Sequence, residues 1–160
     1  MDEDFTAFVR ARQHALVRFG YVLTGDVSSG EDLAQTALAR LYLKWDTIQR
    51  TEAVEAWVRK VMVNEHTSWW RRAWRHRETL GLDGVNAEAQ ALAAPTGDHE
   101  LWEEVLRLPP RQRAAVALRY YEDLTEAQTA EILGCSVGTV KSQVHRAMAT
   151  LRTRLEEVLA

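Results

Sequence analysis

Apolar side chains recur along the N-terminal half of the chain at the spacings of amphipathic helices. In residues 4–23 they stand mostly three, four and seven positions apart, which predicts a first helix, and the Thr-Gly-Asp sequence at 24–26 ends it. Ser28 is followed three residues later by Glu31, a capping-box pattern that predicts the start of a second helix, which runs to about residue 44.

A third helix is predicted over residues 52–77, because apolar positions again recur at helical spacing. Its side chains expected to face the core are Val54, Trp57, Val58, Val61 and Met62. The C-terminal end of this helix is instead rich in arginine and tryptophan. Three packed helices are therefore expected to form a first domain with a basic end.

The apolar pattern stops at residues 81–98, which contain glycines and a proline among alanines and acids, and we interpret them as a linker. A short helical stripe over residues 101–108 then ends at Pro109 and Pro110, because proline lacks the amide donor and disfavours helix in the residue before it. The next helix is predicted over residues 113–121.

Two more helices with a tight turn between them are predicted at the C-terminus. Thr125 and Gln128 give a capping box that opens a helix over residues 126–133, and Gly134 ends it. Ser136 can cap a last helix that runs from residue 137 to about residue 159. The side chains of that helix expected to point inward are Val137, Val140 and Val144.

The fold class that follows from these patterns is all-α. We expect two small helical domains joined by an acidic, flexible linker, with a helix-turn-helix in the C-terminal domain. The predicted boundaries are residues 1–78 for the first domain, 79–98 for the linker and 99–160 for the second domain.

Composition narrows the class of protein. Of the 160 residues, 46% are hydrophobic and 27% are charged, which is ordinary for a globular protein that buries a core. The first residues are acidic, unlike a secretory signal, and no run of about 18 apolar residues occurs, so we expect a cytoplasmic protein. The single cysteine, Cys135, cannot form an internal disulfide, and with five scattered histidines it gives no zinc site.

The distribution of charge matters more than its sum. A net charge of −3 argues against a nucleic-acid partner, because phosphate contacts need basic side chains. Residues 57–79, however, carry six basic and two acidic side chains, whereas residues 80–104 carry six acidic side chains and no basic one. A basic helix followed by an acidic segment indicates DNA contact that is conditional.

Residues 125–151 have the pattern of a helix-turn-helix, with Ala130 where two helices approach closely and Gly134 at the turn. The polar side chains on the free faces of the second helix are Thr139, Lys141, Ser142, His145 and Arg146. A recognition helix offers early residues to base edges and basic residues to phosphates, so these five form a predicted DNA-reading set. The alternative is an ordinary solvated helix face.

The arginine- and tryptophan-rich end of the third helix is a second candidate site. It comprises Asn64, Trp69, Trp70, Arg71, Arg72, Trp74 and Arg75. Aromatics interleaved with arginines suit single-stranded DNA, because bases stack on rings while guanidinium groups hold phosphates. The Asn64 amide can also donate to and accept from a base edge. The alternatives are core packing for the tryptophans and an ordinary surface position for Asn64.

Motifs of enzymes are missing from the sequence. It lacks a Gly-rich phosphate loop and a nucleophile elbow, and Trp70 stands where a zinc-protease motif that includes His66 needs its second histidine. We therefore expect no catalytic residue, no metal and no cofactor.

Two sets of motifs, in order along almost the whole chain, resemble the extracytoplasmic-function (ECF) sigma factors, especially the actinobacterial sigma-E-like group. Residues 30–35, with Leu38 and Leu41, resemble the helix that holds the beta-prime clamp coiled coil of RNA polymerase. The core polymerase interface implied by this resemblance comprises Asp32, Leu33, Gln35 and Leu38.

The other motifs coincide with the two predicted DNA-contacting segments. Residues 57–64, continuing to 69–72, resemble the segment that melts and reads the minus-ten element, with Asn64 where such factors capture a flipped base. Residues 108–113 and 134–142 resemble the domain that binds the polymerase beta flap and reads the minus-thirty-five element. The resemblance implies a sigma factor that binds core RNA polymerase and promoter DNA, with an anti-sigma factor as a further partner and no membrane insertion.

Two other functions remain open at the level of sequence. A conventional helix-turn-helix regulator binds its operator by itself as a dimer, and specific duplex binding without polymerase would identify it. A helical adaptor that binds only protein would explain the apolar stripes and the acidic segment. It would leave the arginine–tryptophan cluster without a role.

Overall fold

The computed structural model describes residues 2–51, 53–80 and 99–159, and all regular structure within those ranges is helical, which confirms the predicted all-α class. The helices are α1 (Glu3–Thr24), α2 (Val27–Leu43), α3 (Trp45–Thr51), α4 (Val54–Leu80), α5 (His99–Leu106), α6 (Pro110–Val116), α7 (Glu126–Leu133) and α8 (Val137–Leu159), and a π-helical turn, Ala117–Tyr121, continues α6. Most of the predicted linker, residues 81–98, lies outside the described residues. Among the described helices, none combines the length and apolar character needed to cross a membrane.

The first domain is built on a hairpin of α1 and α2. Asp2 caps α1 by accepting a hydrogen bond from the Asp4 amide at 2.8 Å, and Gly25 ends the helix with a φ of 79°. The two helices cross where Gly20 faces Gly30, so closely that a Cβ on Gly20 would lie 2.5 Å from the Gly30 carbonyl oxygen. The missing side chains at both positions therefore set the helix spacing.

The start of α2 differs from the prediction. Asp26 is extended and caps the helix, because its Oδ2 accepts hydrogen bonds from the Ser29 amide at 2.9 Å and from the Ser29 hydroxyl at 2.8 Å. The capping box predicted for Ser28 and Glu31 is wrong, since α2 already begins at Val27 and Ser28 lies inside its first turn.

The predicted third helix is also corrected. The chain forms a separate short helix, α3, before α4 begins at Val54, so the first domain contains four described helices and not three. Val58 and Met62 are fully buried, as predicted. The other three predicted core residues, which pack against the core but are only partly buried, are Val54, Trp57 and Val61. They flank the buried face of α4 and do not lie at its centre.

In the second domain, the helix predicted over residues 113–121 begins earlier, at Pro110, and its last part is the π-helical turn. Pro110 is the first residue of α6, where a missing amide hydrogen breaks no helical hydrogen bond. Thr125 and Gln128 form the predicted capping box, with hydrogen bonds of 2.9 and 3.0 Å between the side chain of each and the amide of the other.

The helix-turn-helix of α7 and α8 is confirmed. Gly134 ends α7 with a φ of 67°, and Ser136 Oγ accepts a hydrogen bond from the Thr139 amide at 3.1 Å at the start of α8. Val140 is fully buried, whereas Val137 is 39% exposed. The predicted inward position of Val137 is wrong, because it is the first residue of α8 and precedes the part of the helix that reaches the core.

The two domains pack against each other, which no sequence pattern predicted. Leu118 and Ile132 of the second domain are buried in the same apolar cluster as Val58 and Met62 of the first domain. One continuous core therefore crosses the domain boundary.

Candidate nucleic-acid interface

The C-terminal half of α4 carries most of the predicted strand-opening residues on the protein surface. Asn64, Arg71, Arg72 and Arg75 are exposed, and their spacing of seven, eight and eleven residues from Asn64 places them along one side of the helix. Arg72 Nη1 donates a hydrogen bond to Ser68 Oγ on the same side at 3.0 Å. The arrangement gives a polar and basic stripe that can follow a nucleic-acid strand.

The tryptophans of the cluster have different surroundings. Trp70 is 42% exposed. Trp69 packs against the core of the first domain and donates a hydrogen bond from Nε1 to Glu65 Oε1 at 3.0 Å, so its contacts are those of a packing residue. The side chain of Trp74 lies outside the described part of the chain.

Asn64 and Arg71 line a cleft of about 260 Å³ between the two domains. The opposite wall comes from the second domain and includes Pro110, Arg111 and Leu133. Because both walls carry arginine, the cleft is basic, and residues of α6 and α7 form its wall opposite Asn64.

His66 on α4 lines this cleft, and Arg113 on α6 is close enough for its charge to act on the His66 imidazole. Each residue is only 7% exposed, and within the described structure His66 Nε2 and Arg113 Nε have no hydrogen-bond partner. Arg113 Nη1 donates to the carbonyl oxygen of Leu106. Burial, with a smaller contribution from the Arg113 guanidinium, lowers the pKa of His66 to about 4, so the imidazole is neutral at neutral pH. Burial likewise lowers the pKa of Arg113 to about 10, which leaves it charged.

The sequence analysis missed this region. The sequence shows His66 within a predicted helix, but Arg113 lies far away in the sequence, and no local pattern connects the two residues.

Four of the five predicted DNA-reading residues on α8 are exposed. They are Lys141, Ser142, His145 and Arg146. Thr139 differs, because it is partly buried and its Oγ1 lies 2.9 Å from Ser136 Oγ within the cap of the helix. Thr139 therefore contributes to the start of α8 as well as to its polar face.

Of the four residues that the resemblance implies as a polymerase interface, two are exposed and two are buried. Asp32 and Gln35 are exposed on α2, whereas Leu33 is fully buried and Leu38 is 9% exposed. The two leucines pack in the bundle and support the surface that the two polar residues present. Among the described residues, no three His, Cys, Asp or Glu side chains are grouped to bind a metal ion.

Comparison with protein families matches both domains. The family model of sigma-70 region 2 matches residues 8–76, and that of sigma-70 region 4 matches residues 98–151. The RNA polymerase sigma-E factor of Streptomyces coelicolor is 41% identical over 154 residues, which cover 95% of this chain and 86% of that protein. The ECF sigma factor SigW of Bacillus subtilis is 25% identical over 172 residues, which cover 98% of this chain and 92% of that protein.

Solved structures of sigma factors share the fold. The sigma factor RpoE of Bartonella quintana, in complex with the anti-sigma factor NepR, matches with a TM-score of 0.81 and 25% identity over 97% of this chain and 98% of that chain. CnrH in complex with the cytosolic domain of CnrY matches with a TM-score of 0.68 and 20% identity over 96% of this chain and 88% of that chain.

Proposed function

We propose how the two domains of this chain divide the work of transcription initiation, from the premise that the chain belongs to the sigma-70 family, in the sigma-E-like ECF group. As a member of that family, it binds core RNA polymerase and directs promoter-specific transcription initiation. In our proposal, residues 1–78 open and read the minus-ten element, residues 99–160 read the minus-thirty-five element, and residues 79–98 link them.

One observation carries this division: exposed polar and basic residues form two separate sets, one on α4 and one on α8. On α4, Asn64 captures an unstacked base while Arg71, Arg72 and Arg75 hold the backbone of the opened strand, and Trp70 offers a ring for stacking. Extruding a base costs a few kcal/mol, and stacking on an aromatic contributes about 1 to 3 kcal/mol, so the two effects are comparable.

On α8, Lys141 and Arg146 contact phosphates, and Ser142 and His145 face base edges of the minus-thirty-five element. Phosphate contacts from basic side chains fix the register of a recognition helix, and polar side chains that reach base edges carry sequence preference. Thr139 supports this set through its contact with the helix cap.

Asp32 and Gln35 contact the beta-prime clamp, and Leu33 and Leu38 hold α2 in place behind them. The exposure of the two polar residues and the burial of the two leucines support these separate roles.

The proposal also covers the regulation of the chain, its lack of catalysis and its place in the cell. An anti-sigma factor regulates the chain, as supported by the likeness to RpoE bound to NepR. The chain catalyses no reaction itself. It acts in the cytoplasm, where core polymerase and the chromosome are found.

Transcription in vitro with core polymerase tests the proposal, on a promoter identified by mapping transcript ends made with the reconstituted holoenzyme. Asn64→Ala should bind core normally, transcribe less from linear duplex, and recover on the same promoter mismatched at the minus-ten element, because the mismatch removes part of the opening cost. Gln13→Ala, an exposed amide on α1, is the matched control and should behave like the wild type.

Loss of core binding in Asn64→Ala, with normal opening by the bound fraction, would place Asn64 in the polymerase interface and contradict its role in melting. Specific duplex binding by the chain alone, with no stimulation of core polymerase, would favour an operator-binding regulator instead.

A further inference from the structure

The cleft of about 260 Å³ beside Asn64 carries positive charge on both of its walls. Arg71 on α4 lines one wall and Arg111 on α6 lines the other, and both residues are exposed, so a solute can reach them. Among the described residues that line the cleft none is acidic, and neither arginine has an ion-pair partner in the described part of the chain. Two positive charges therefore face one cavity without a counter-charge among the described side chains.

Several arginines elsewhere in the described structure are instead paired with carboxylates. A nitrogen of Arg59 lies 3.1 Å from a carboxylate oxygen of Glu122, and a nitrogen of Arg107 lies 3.0 Å from one of Glu104. A cleft that is lined by charge of one sign between low-dielectric walls concentrates the electric field and attracts counter-ions. The cleft is therefore suited to an anion from solution.

Two buried side chains add to this preference for an anion. Arg113 is only 7% exposed, and its pKa of about 10 leaves it charged at neutral pH. His66 lines the cleft and is equally buried, and its Nε2 has no hydrogen-bond partner in the described structure. Buried polar atoms nearly always have a partner, so an oxygen of a bound anion can supply the contact that His66 lacks there.

Neutral side chains in the cleft can also donate hydrogen bonds. Ser68 Oγ accepts a hydrogen bond from Arg72 Nη1 at 3.0 Å, so its own hydroxyl proton remains available to a ligand. The side-chain amide of Asn64 offers two further N–H groups. Thr67 differs, because its hydroxyl already donates to the Val63 carbonyl oxygen at 2.9 Å. The cleft thus combines charged and neutral donors.

The size and charge of the cleft select the class of anion. Pockets that hold drug-sized ligands have volumes of about 300–1,000 Å³, so a cleft of about 260 Å³ suits a smaller molecule. A phosphate monoester carries a charge of about −1.5 to −2 at neutral pH, which matches the two arginines, whereas a carboxylate would compensate only one of them. The planar guanidinium group also fits the spacing of phosphate oxygens. A small phosphate compound therefore fits the cleft best.

We propose that this cleft is a binding site for a small phosphate dianion, either inorganic phosphate or a small phosphate monoester, which Arg71 and Arg111 hold from opposite walls. The site is distinct from the proposed strand-opening surface, because Arg111 and His66 do not belong to that surface. Arg71 belongs to both, so a bound phosphate and an opened DNA strand compete for it. The competition rests on the proposed function, whereas the phosphate site itself does not.

Isothermal titration calorimetry on the full-length chain tests the site, with inorganic phosphate as the probe in a phosphate-free buffer at neutral pH and constant ionic strength. The wild type should bind phosphate saturably, at one phosphate per chain. Arg111→Gln should weaken this binding on the order of tenfold, as expected for loss of one charge-assisted contact. Arg152→Gln removes the same charge at an exposed position on α8, where salt screens it from the cleft, so its affinity should stay within about twofold of the wild type.

A single-stranded oligonucleotide without a terminal phosphate is the second probe, because its backbone presents only phosphodiesters. It should displace phosphate from the wild type, since both ligands need Arg71. Arg111→Gln should bind the oligonucleotide as tightly as Arg152→Gln does, because Arg111 lies outside the strand-opening surface. Circular dichroism checks that each variant stays folded.

Absence of saturable phosphate binding by the wild type would overturn the proposal, as would equal phosphate affinity of Arg111→Gln and Arg152→Gln. An equal loss of phosphate and oligonucleotide binding in Arg111→Gln would assign the cleft to the strand-opening surface and so contradict a separate site. Failure of the oligonucleotide to displace phosphate would contradict the competition. A chain that binds phosphate as expected but does not stimulate core polymerase would contradict the proposed function alone.

Discussion

Side chains on α4 and α8 differ in exposure, and the difference separates residues that are candidates for DNA contact from residues that pack within the fold. Trp69 and Trp70 are neighbours, yet the first is bonded to Glu65 and packed on the core while the second is 42% exposed. Arg146 and Lys141 are both exposed on α8. Exposure therefore reduces each candidate set to the residues that can reach DNA.

Arg146→Ala is expected to weaken promoter binding of the holoenzyme through loss of a phosphate contact. Such a loss is similar across promoter sequences. It also makes the negative slope of log affinity against log salt shallower by about 1. Arg152→Ala, an exposed arginine further along the same helix, is the matched control. Binding titrations over a salt series measure both quantities. A loss confined to one base position would instead identify a base contact, and unchanged binding would exclude any contact.

At the scale of elements, the hairpin of α1 and α2 depends on two glycines. A Cβ on Gly30 would lie 2.6 Å from the Tyr21 amide nitrogen, and backbone atoms cannot move aside as a flexible side chain can. The hairpin carries both the core residues of the first domain and the proposed polymerase-contacting face of α2.

Gly30→Ala is therefore expected to destabilise the protein by roughly 2 to 3 kcal/mol, because the two helices must move apart. Gly138→Ala is the control, since a Cβ there would meet only Ser136 Oγ at 3.8 Å, and a helical glycine replaced by alanine gains up to about 1 kcal/mol. Urea unfolding curves compare the two. Equal midpoints for both variants would show that the close crossing is not needed.

At the scale of the whole molecule, burial between the domains and, to a smaller extent, the charge of Arg113 lower the pKa of His66 and favour a neutral imidazole. Three arginines surround this site: the charge of Arg113 acts on His66, and Arg71 and Arg111 line the same cleft as His66. Protonation of His66 would add a further positive charge to this buried region.

The stability of the packed chain should consequently fall in mild acid. The pKa of His66 is about 4 in the folded protein and 6.5 ordinarily, so the unfolded chain takes up the proton first as the pH falls. The contribution of His66 is fully present above about pH 6.5 and is lost between there and pH 4, by roughly 3 kcal/mol at most. His66→Phe lacks this loss, whereas His145→Phe, at an exposed histidine, keeps it.

Unfolding free energies of the three proteins, measured from pH 7.5 to 4.5, provide the check. The wild type and His145→Phe should lose stability relative to His66→Phe as the pH falls. Parallel curves for all three would mean that His66 titrates normally in the folded chain.

Local features of the sequence were sufficient to predict the helix-turn-helix of the second domain. Apolar spacing, the Thr125–Gln128 capping box and the positive φ at Gly134 all act over a few residues, so they can be recognised in the sequence. The same local rules chose the wrong cap for α2, because Asp26 and Ser28 both offer an acceptor and only the position of the first helical residue decides between them.

By itself the sequence determined the order of the helices, apart from the unpredicted α3, and the two candidate DNA-contacting segments, because periodicity and capping depend on near neighbours. Tertiary structure alone decided that Leu33 is buried while Asp32 is exposed, that Trp69 packs against the core while Trp70 is 42% exposed, and that Arg59 forms an ion pair with Glu122. Burial and ion pairing across domains depend on residues that are distant in the chain, and no spacing rule connects them. The packed arrangement of the two domains, and the buried His66 between them, emerge only when the helices are assembled.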